Sequence, residues 1–118
     1  MDKCRRLANK NADKIEKSCK NFFINLKKDK NLRSKFKSND DYDEYLFIRK
    51  DICEDKRRLF YTKQELKCYQ MTLKYCKGNK KCIEMFTEII EGCKRNISEA
   101  EGFLKDDFAD LKKIKMNK

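Results

Sequence analysis

The chain has 118 residues, 39% of them hydrophobic and 43% charged, with 31 Lys and Arg against 20 Asp and Glu for a net charge of +11. The length suits a single domain, 1–118, and the apolar share lies below the usual ~45–50%, so the core should be thin and covalent staples useful. Seven Cys stand beside three Gly and no Pro, His or Trp: lack of His removes the commonest general base and metal ligand, and lack of Pro permits long helices.

Taken in chain order, apolar residues and Cys recur at helical spacing as Cys4, Ala8, Ala12, Ile15, Cys19, Phe22 and Leu26. Steps of three and four place them on one face, which predicts a first helix over residues 2–28. Its two cysteines point inward about four turns apart, too far to pair with each other, so each needs a partner on another helix. Residues 29–38 have no clean period; Leu32 and Phe36 suit a short helical turn that packs down. Ser38-Asn39-Asp40-Asp41 is an N-cap signal, with negative charge where the helix dipole favours it. A second helix over 40–60 follows, carrying Tyr42, Tyr45, Leu46, Ile48, Ile52 and Cys53.

Thr62-Lys63-Gln64-Glu65 has the form of a capping box and predicts a third helix over 63–77, with Leu66, Tyr69, Leu73 and Cys76 on one side. Lys77-Gly78-Asn79 is a stop signal. A fourth helix is expected over 80–92, with Cys82, Met85, Phe86, Ile89 and then Cys93, closed by Gly92. Ser98-Glu99-Ala100-Glu101 is a second capping box, opening a fifth helix to about residue 115. No stretch alternates with period two long enough for a strand. The expected fold is an all-α, disulfide-stabilised bundle of four to five helices.

The cysteines are Cys4, Cys19, Cys53, Cys68, Cys76, Cys82 and Cys93. In a small chain with a thin core this usage reads as a disulfide framework, hence an oxidising compartment. The connectivity is left open: Cys76 and Cys82 flank the turn and suit either each other or other helices. The odd count leaves one Cys as a buried thiol or as the link of a covalent dimer. No Cys-x-x-Cys pair exists to start a zinc site, so no metal and no cofactor is expected. No apolar run approaches the ~20 residues of a membrane span. Met1 leads straight into polar sequence, so an extracellular protein would be a mature chain bearing an added start Met. Asn96-Ile97-Ser98 fits an N-glycosylation acceptor.

Charge is uneven. Residues 1–38 carry +9, 39–55 carry −5, 56–96 carry +7 and 97–118 are neutral. A basic surface suits nucleic acid, sulfated glycan or anionic lipid, though a Lys-rich solvated face reads the same way. The Arg clusters are Arg5-Arg6 and Arg57-Arg58. The acidic 40–44 segment lacks the Gly and terminal Glu of a calcium loop and reads as a helix start. A Cys nucleophile lacks a His base, and no Gly-rich phosphate loop exists, so no enzymatic activity is expected.

The cysteine rows resemble two families. The early pair Cys4 and Cys19 followed by Phe22-Phe23, the dense row Cys68, Cys76, Cys82, and Cys93 ahead of Gly102-Phe103-Leu104 resemble the nematode-type secreted helical domain of unknown function. A further Cys expected in that family's last helix is missing here. The spacing of Cys68, Cys76, Cys82 and Cys93 is similar to the opening helices of the glial-derived neurotrophic factor receptor domain, without that domain's later cysteines. Either resemblance implies an extracellular binding module without catalysis and carries over no binding residues.

The function expected is therefore that of a secreted, disulfide-rich helical binding protein, an effector or a receptor- or ligand-binding module, with another protein as partner. The contact residues expected are Phe47, which falls off the core stripe, with Arg57, Arg58, Arg5 and Arg6; Tyr42, Tyr45, Phe60 and Tyr61 are further aromatic candidates that also suit the core. The rival readings are a cationic module binding nucleic acid, glycosaminoglycan or anionic membrane, and an intracellular helical scaffold with reduced thiols. A membrane-active toxin fits less well, because cross-linked helices with a core resist insertion.

Overall fold

The computed structural model describes residues 2–114, with side chains from residue 3. Met1 and residues 115–118, which include the expected end of the last helix, lie outside the described residues. Four α-helices follow in order: α1 (Asp2–Lys28), α2 (Lys30–Ser34), α3 (Asn39–Leu73) and α4 (Lys80–Lys113). A 3-10 turn, Lys74–Cys76, ends α3. The all-α, disulfide-stabilised fold is the one expected.

Local signals explain each boundary. Asp29 caps α2 by accepting from the Asn31 amide at 2.9 Å. Ser38 caps α3 by accepting from the Asp41 amide at 3.1 Å. At the α3–α4 turn Lys77 is left-handed (φ 48°) and Gly78 follows at φ 86°, a conformation glycine adopts without a Cβ clash. Asn79 then caps α4, accepting from the Cys82 amide at 3.1 Å.

Two expected breaks are absent. The helices expected over 40–60 and 63–77 are one 35-residue helix, α3, about 52 Å long at ~1.5 Å per residue. Thr62 is buried inside it. A capping box stops a helix only where the chain enters from extended backbone; here Glu65 leaves the box and turns to other helices. The helices expected over 80–92 and 98–115 are likewise fused into α4. Gly92 sits in its interior, a cost of about 1 kcal/mol relative to Ala that the packing of α4 absorbs, while the second box contributes Ala100 to the core, wholly buried.

The central helix is α3, packed against both α1 and α4, which barely approach each other. The bundle measures 62 × 24 × 17 Å. Its radius of gyration is 19.1 Å, against about 13–14 Å for a compact chain of this length. The accessible surface is 8790 Å², where about 6,800 Å² is usual for this mass. Most burial lies in seams along α3: Ala8 and Ala12 of α1, Ile48, Ile52 and Cys68 of α3, and Ile90, Cys93 and Ala100 of α4. Leu32 and Phe36 fold down beside the open end, where Phe36 packs on Tyr42 and Tyr45 at centroid distances of 5.7 and 5.0 Å.

Three disulfides brace this layout: Cys4–Cys68, Cys19–Cys53 and Cys76–Cys82, with Cα separations of 5.7, 5.5 and 5.5 Å. The first two join α1 to α3 and the third clamps the α3–α4 turn. Their loops differ in length, 64, 34 and 6 residues. Replacing each pair by alanines should therefore cost about 4 kcal/mol for Cys4–Cys68, slightly less for Cys19–Cys53, and about 2 kcal/mol for Cys76–Cys82. Urea unfolding of the three double variants without reductant checks the order; the largest loss at Cys76–Cys82 would contradict it.

Candidate interaction surfaces

The Cys19–Cys53 bridge forms the floor between two grooves at the α1/α3 seam. One, of about 440 Å³, is lined by Ile15, Phe22 and Ile52, with Lys14, Arg49 and Lys56 around it and no acid. The other, of about 430 Å³, is lined by Phe23 and Ile24 and carries both signs of charge: Glu16, Lys20, Lys50, Glu54 and Arg57. Arg49 lies over the Tyr45 ring and donates to its hydroxyl at 3.1 Å, and Lys56 lies over the Phe108 ring. Lys14, Arg49 and Lys56 have no ion-pair partner among the described residues.

The residues singled out in the sequence have distinct fates. Phe47 is 65% exposed, as its place off the core stripe implied. Tyr42, Tyr45, Phe60 and Tyr61 are half-buried. Arg57 is drawn into α1: its Nε lies 3.0 Å from Glu16, off the hydrogen-bonding direction, and its terminal nitrogen donates to Asp13 at 3.4 Å. Arg58 pairs with Glu99 of α4 at 3.6 Å and lies over Phe103. Arg5 pairs with Glu65 at 3.7 Å, while Arg6 is exposed. Three of the four arginines thus tie helices together. Asn96 is exposed on α4.

Glu65, unmarked by the sequence as anything but a cap, joins all three long helices. It accepts from the Tyr61 hydroxyl at 3.1 Å and from the Cys93 thiol at 3.9 Å, and pairs with Arg5. Cys93 is the unpaired cysteine, and it is buried. Burial, then the Glu65 charge, push its thiol above the ordinary range. A covalent dimer through Cys93 would require α4 to open. Burial and the same carboxylate also push the Tyr69 phenol up.

Farther along the α3–α4 seam, Asp107 faces Asp55, with Asp51 and Asp110 near. Burial, the contact with Asp55 and the neighbouring charges push its carboxyl up to about 6. Ionised, its Oδ2 is buried with no donor; a retained proton turns the contact with Asp55 into a hydrogen bond. Among the described residues no group of three His, Cys, Asp or Glu is arranged to hold a metal ion, and no helix is long and apolar enough to cross a membrane.

The side of α1 opposite its buried face carries a third feature. Lys3, Arg6, Lys10, Lys14 and Lys17 follow at steps of three and four, all exposed. None forms an ion pair among the described residues. The sequence shows this stripe as plainly as the apolar one, once read with the same period.

Comparison with protein-family models, curated proteins and solved structures finds no match in any of the three.

The buried thiol and the buried acid are both open to test. Under non-reducing conditions the folded chain should resist alkylation, and denaturant should expose one reactive thiol, Cys93, read by intact mass; seven reactive thiols would contradict the bridge assignment. Asp107 has a folded pKa above its unfolded value of 3.8. Its stabilising share is complete below the unfolded pKa and is lost as pH rises through about 6. Asp107→Asn, which mimics the protonated acid, should raise the urea midpoint at about pH 7.5 and change it little at about pH 4. An equal effect at both values would rule out this titration.

Proposed function

We propose that the chain is an extracellular, disulfide-braced helical binding protein without catalysis, which meets another protein at the end of the α1–α3 pair around Cys19–Cys53. The observation that carries the reading is the exposure of large apolar side chains there. Phe22, Ile24 and Phe47 are 49%, 47% and 65% exposed. The antiparallel register sets residue 24 of α1 level with residue 48 of α3, so these side chains lie at the same end of the pair, Phe22 on one groove and Ile24 on the other. Single exposed apolar residues are ordinary on any protein. Three at one end, beside two grooves and a set of unpaired cations, have the mixture of apolar anchor and charged rim that protein interfaces use. Three bridges suit an oxidising compartment, and the resemblance in the cysteine rows suits the same role.

The test is saturable binding of the oxidised protein to cell surfaces, followed by cross-linking to a protein partner. The triple variant Phe22→Ala, Ile24→Ala, Phe47→Ala should weaken it by at least about tenfold. Met71→Ala, Tyr75→Ala, Met85→Ala, at the opposite end and likewise exposed, should leave it unchanged. Equal losses from both variants, or binding that never saturates, would refute the assignment.

A further inference from the structure

We infer that the outer stripe of α1 binds a linear sulfated glycan of the glycosaminoglycan class, at a surface that meets the groove beside the apolar end only through Lys14. Five side chains form the stripe. Lys3, Arg6, Lys10, Lys14 and Lys17 are all exposed and span roughly 21 Å along one straight helix at ~1.5 Å per residue. Successive members are helical neighbours, so every adjacent pair is like-charged. A solvated helix face is normally relieved by acids three or four residues away. The two acids beside the stripe, Asp13 and Glu16, border Lys10, Lys14 and Lys17 but form their ion pairs elsewhere, both with Arg57 and Glu16 also with Lys20 at 3.2 Å. No cation of the stripe forms an ion pair among the described residues, five cations outnumber the two acids beside them, and their geometry is a line.

A line of cations complements a line of anions. Three polymers or surfaces offer one: nucleic acid, an anionic membrane and a sulfated polysaccharide. Membrane binding by an amphipathic helix needs its apolar face to enter the lipid. The apolar face of α1 is held against α3 by two disulfides, and beside the stripe a single large apolar side chain, Leu7, is exposed, too little to insert. Base recognition in nucleic acid relies on side chains that enter a groove with bidentate geometry, whereas four of these five cations are Lys on the convex side of one helix, which reads charge density alone. The disulfides suit an oxidising space, where sulfated glycans are the abundant linear polyanions; this step rests on the extracellular placement proposed above, while the stripe itself does not.

The test uses heparin as probe and the intact oxidised chain. Binding is measured by calorimetry at physiological salt and over a salt series, with heparin fragments of increasing length. Two variants carry the same charge change: Lys10→Glu, Lys14→Glu, Lys17→Glu on the stripe, and Lys105→Glu, Lys112→Glu, Lys113→Glu on α4. Circular dichroism and intact mass confirm that each keeps its helices and bridges. The expected result is that affinity falls steeply with salt, rises with fragment length until the stripe is covered, and drops by at least about tenfold in the stripe variant but less than about threefold in the α4 variant. Equal losses in the two variants would reduce the effect to net charge and overturn the proposal. So would absent binding at physiological salt, or duplex DNA or anionic vesicles binding as tightly with the same sensitivity to the stripe variant. Purified heparin needs no protein partner, so its failure to bind leaves the interface around Phe22 and Phe47 standing, and loss of cell binding in the Phe22, Ile24, Phe47 variant leaves the stripe standing.

Discussion

Two covalent links at matched intervals hold α1 to α3, and the remaining packing depends on them. Cys4 and Cys19 are fifteen residues apart, and so are their partners Cys53 and Cys68. On antiparallel helices equal intervals close both bridges only if each helix is continuous between them and neither slides along the other. The demand falls on α3 as much as on α1. A break near residue 61 would shift Cys68 relative to Cys53, and a disulfide tolerates little such displacement. The bridges therefore specify a long unbroken α3, which local capping signals alone would cut.

A long central helix also settles how a chain of low apolar content builds a core. With α1 and α4 packed on α3 and hardly on each other, the protein has two narrow seams instead of one central core. Small residues line them: Ala8 and Ala12 on one side and Ala100 on the other let the backbones come close. The polar group placed between them is Glu65, which answers a guanidinium from α1 and a thiol from α4. Its position on the shared helix lets one side chain serve both seams. The same layout leaves large apolar side chains without cover, since a layer has more outer face than a bundle closed on itself.

Much of this layout is legible in the amino-acid sequence. The 3.6-residue period locates α1, the Ser38 and Asn79 caps mark two helix starts, and Gly78 marks the turn. Phe47 stands out by falling off its stripe. Two boundaries mislead for one reason: Thr62-x-x-Glu65 and Ser98-x-x-Glu101 have the composition of caps, but composition does not say whether the preceding backbone is extended. That is decided by packing, through Glu65 toward Arg5 and Cys93 and through Ala100 into the seam. The equal spacing of the two cysteine pairs is present in the sequence and predicts their pairing, given that α3 is one helix; with a break assumed at residue 61 the signal vanishes. The roles of Arg5, Arg57 and Arg58 are not legible, because their acid partners lie on other helices at separations only the register supplies.

The bridges bear finally on charge. Four like-charged neighbour pairs along the stripe of α1 each oppose helix formation by about 0.2–0.5 kcal/mol, and Asp13, three residues from Lys10 and four from Lys17, offsets only part of this. A disulfide closing a loop of this length contributes about 4 kcal/mol, so either link to α3 exceeds the whole repulsion. The chain can therefore carry a line of unpaired cations on a helix whose other face is narrow and built from Ala and Cys. Without the links α1 would keep its repulsion and depend on its seam with α3 and on exposed ion pairs such as Arg57 with Asp13 and Glu16, which contribute little. The bridges thus fix the register that holds the stripe along one straight helix against α3.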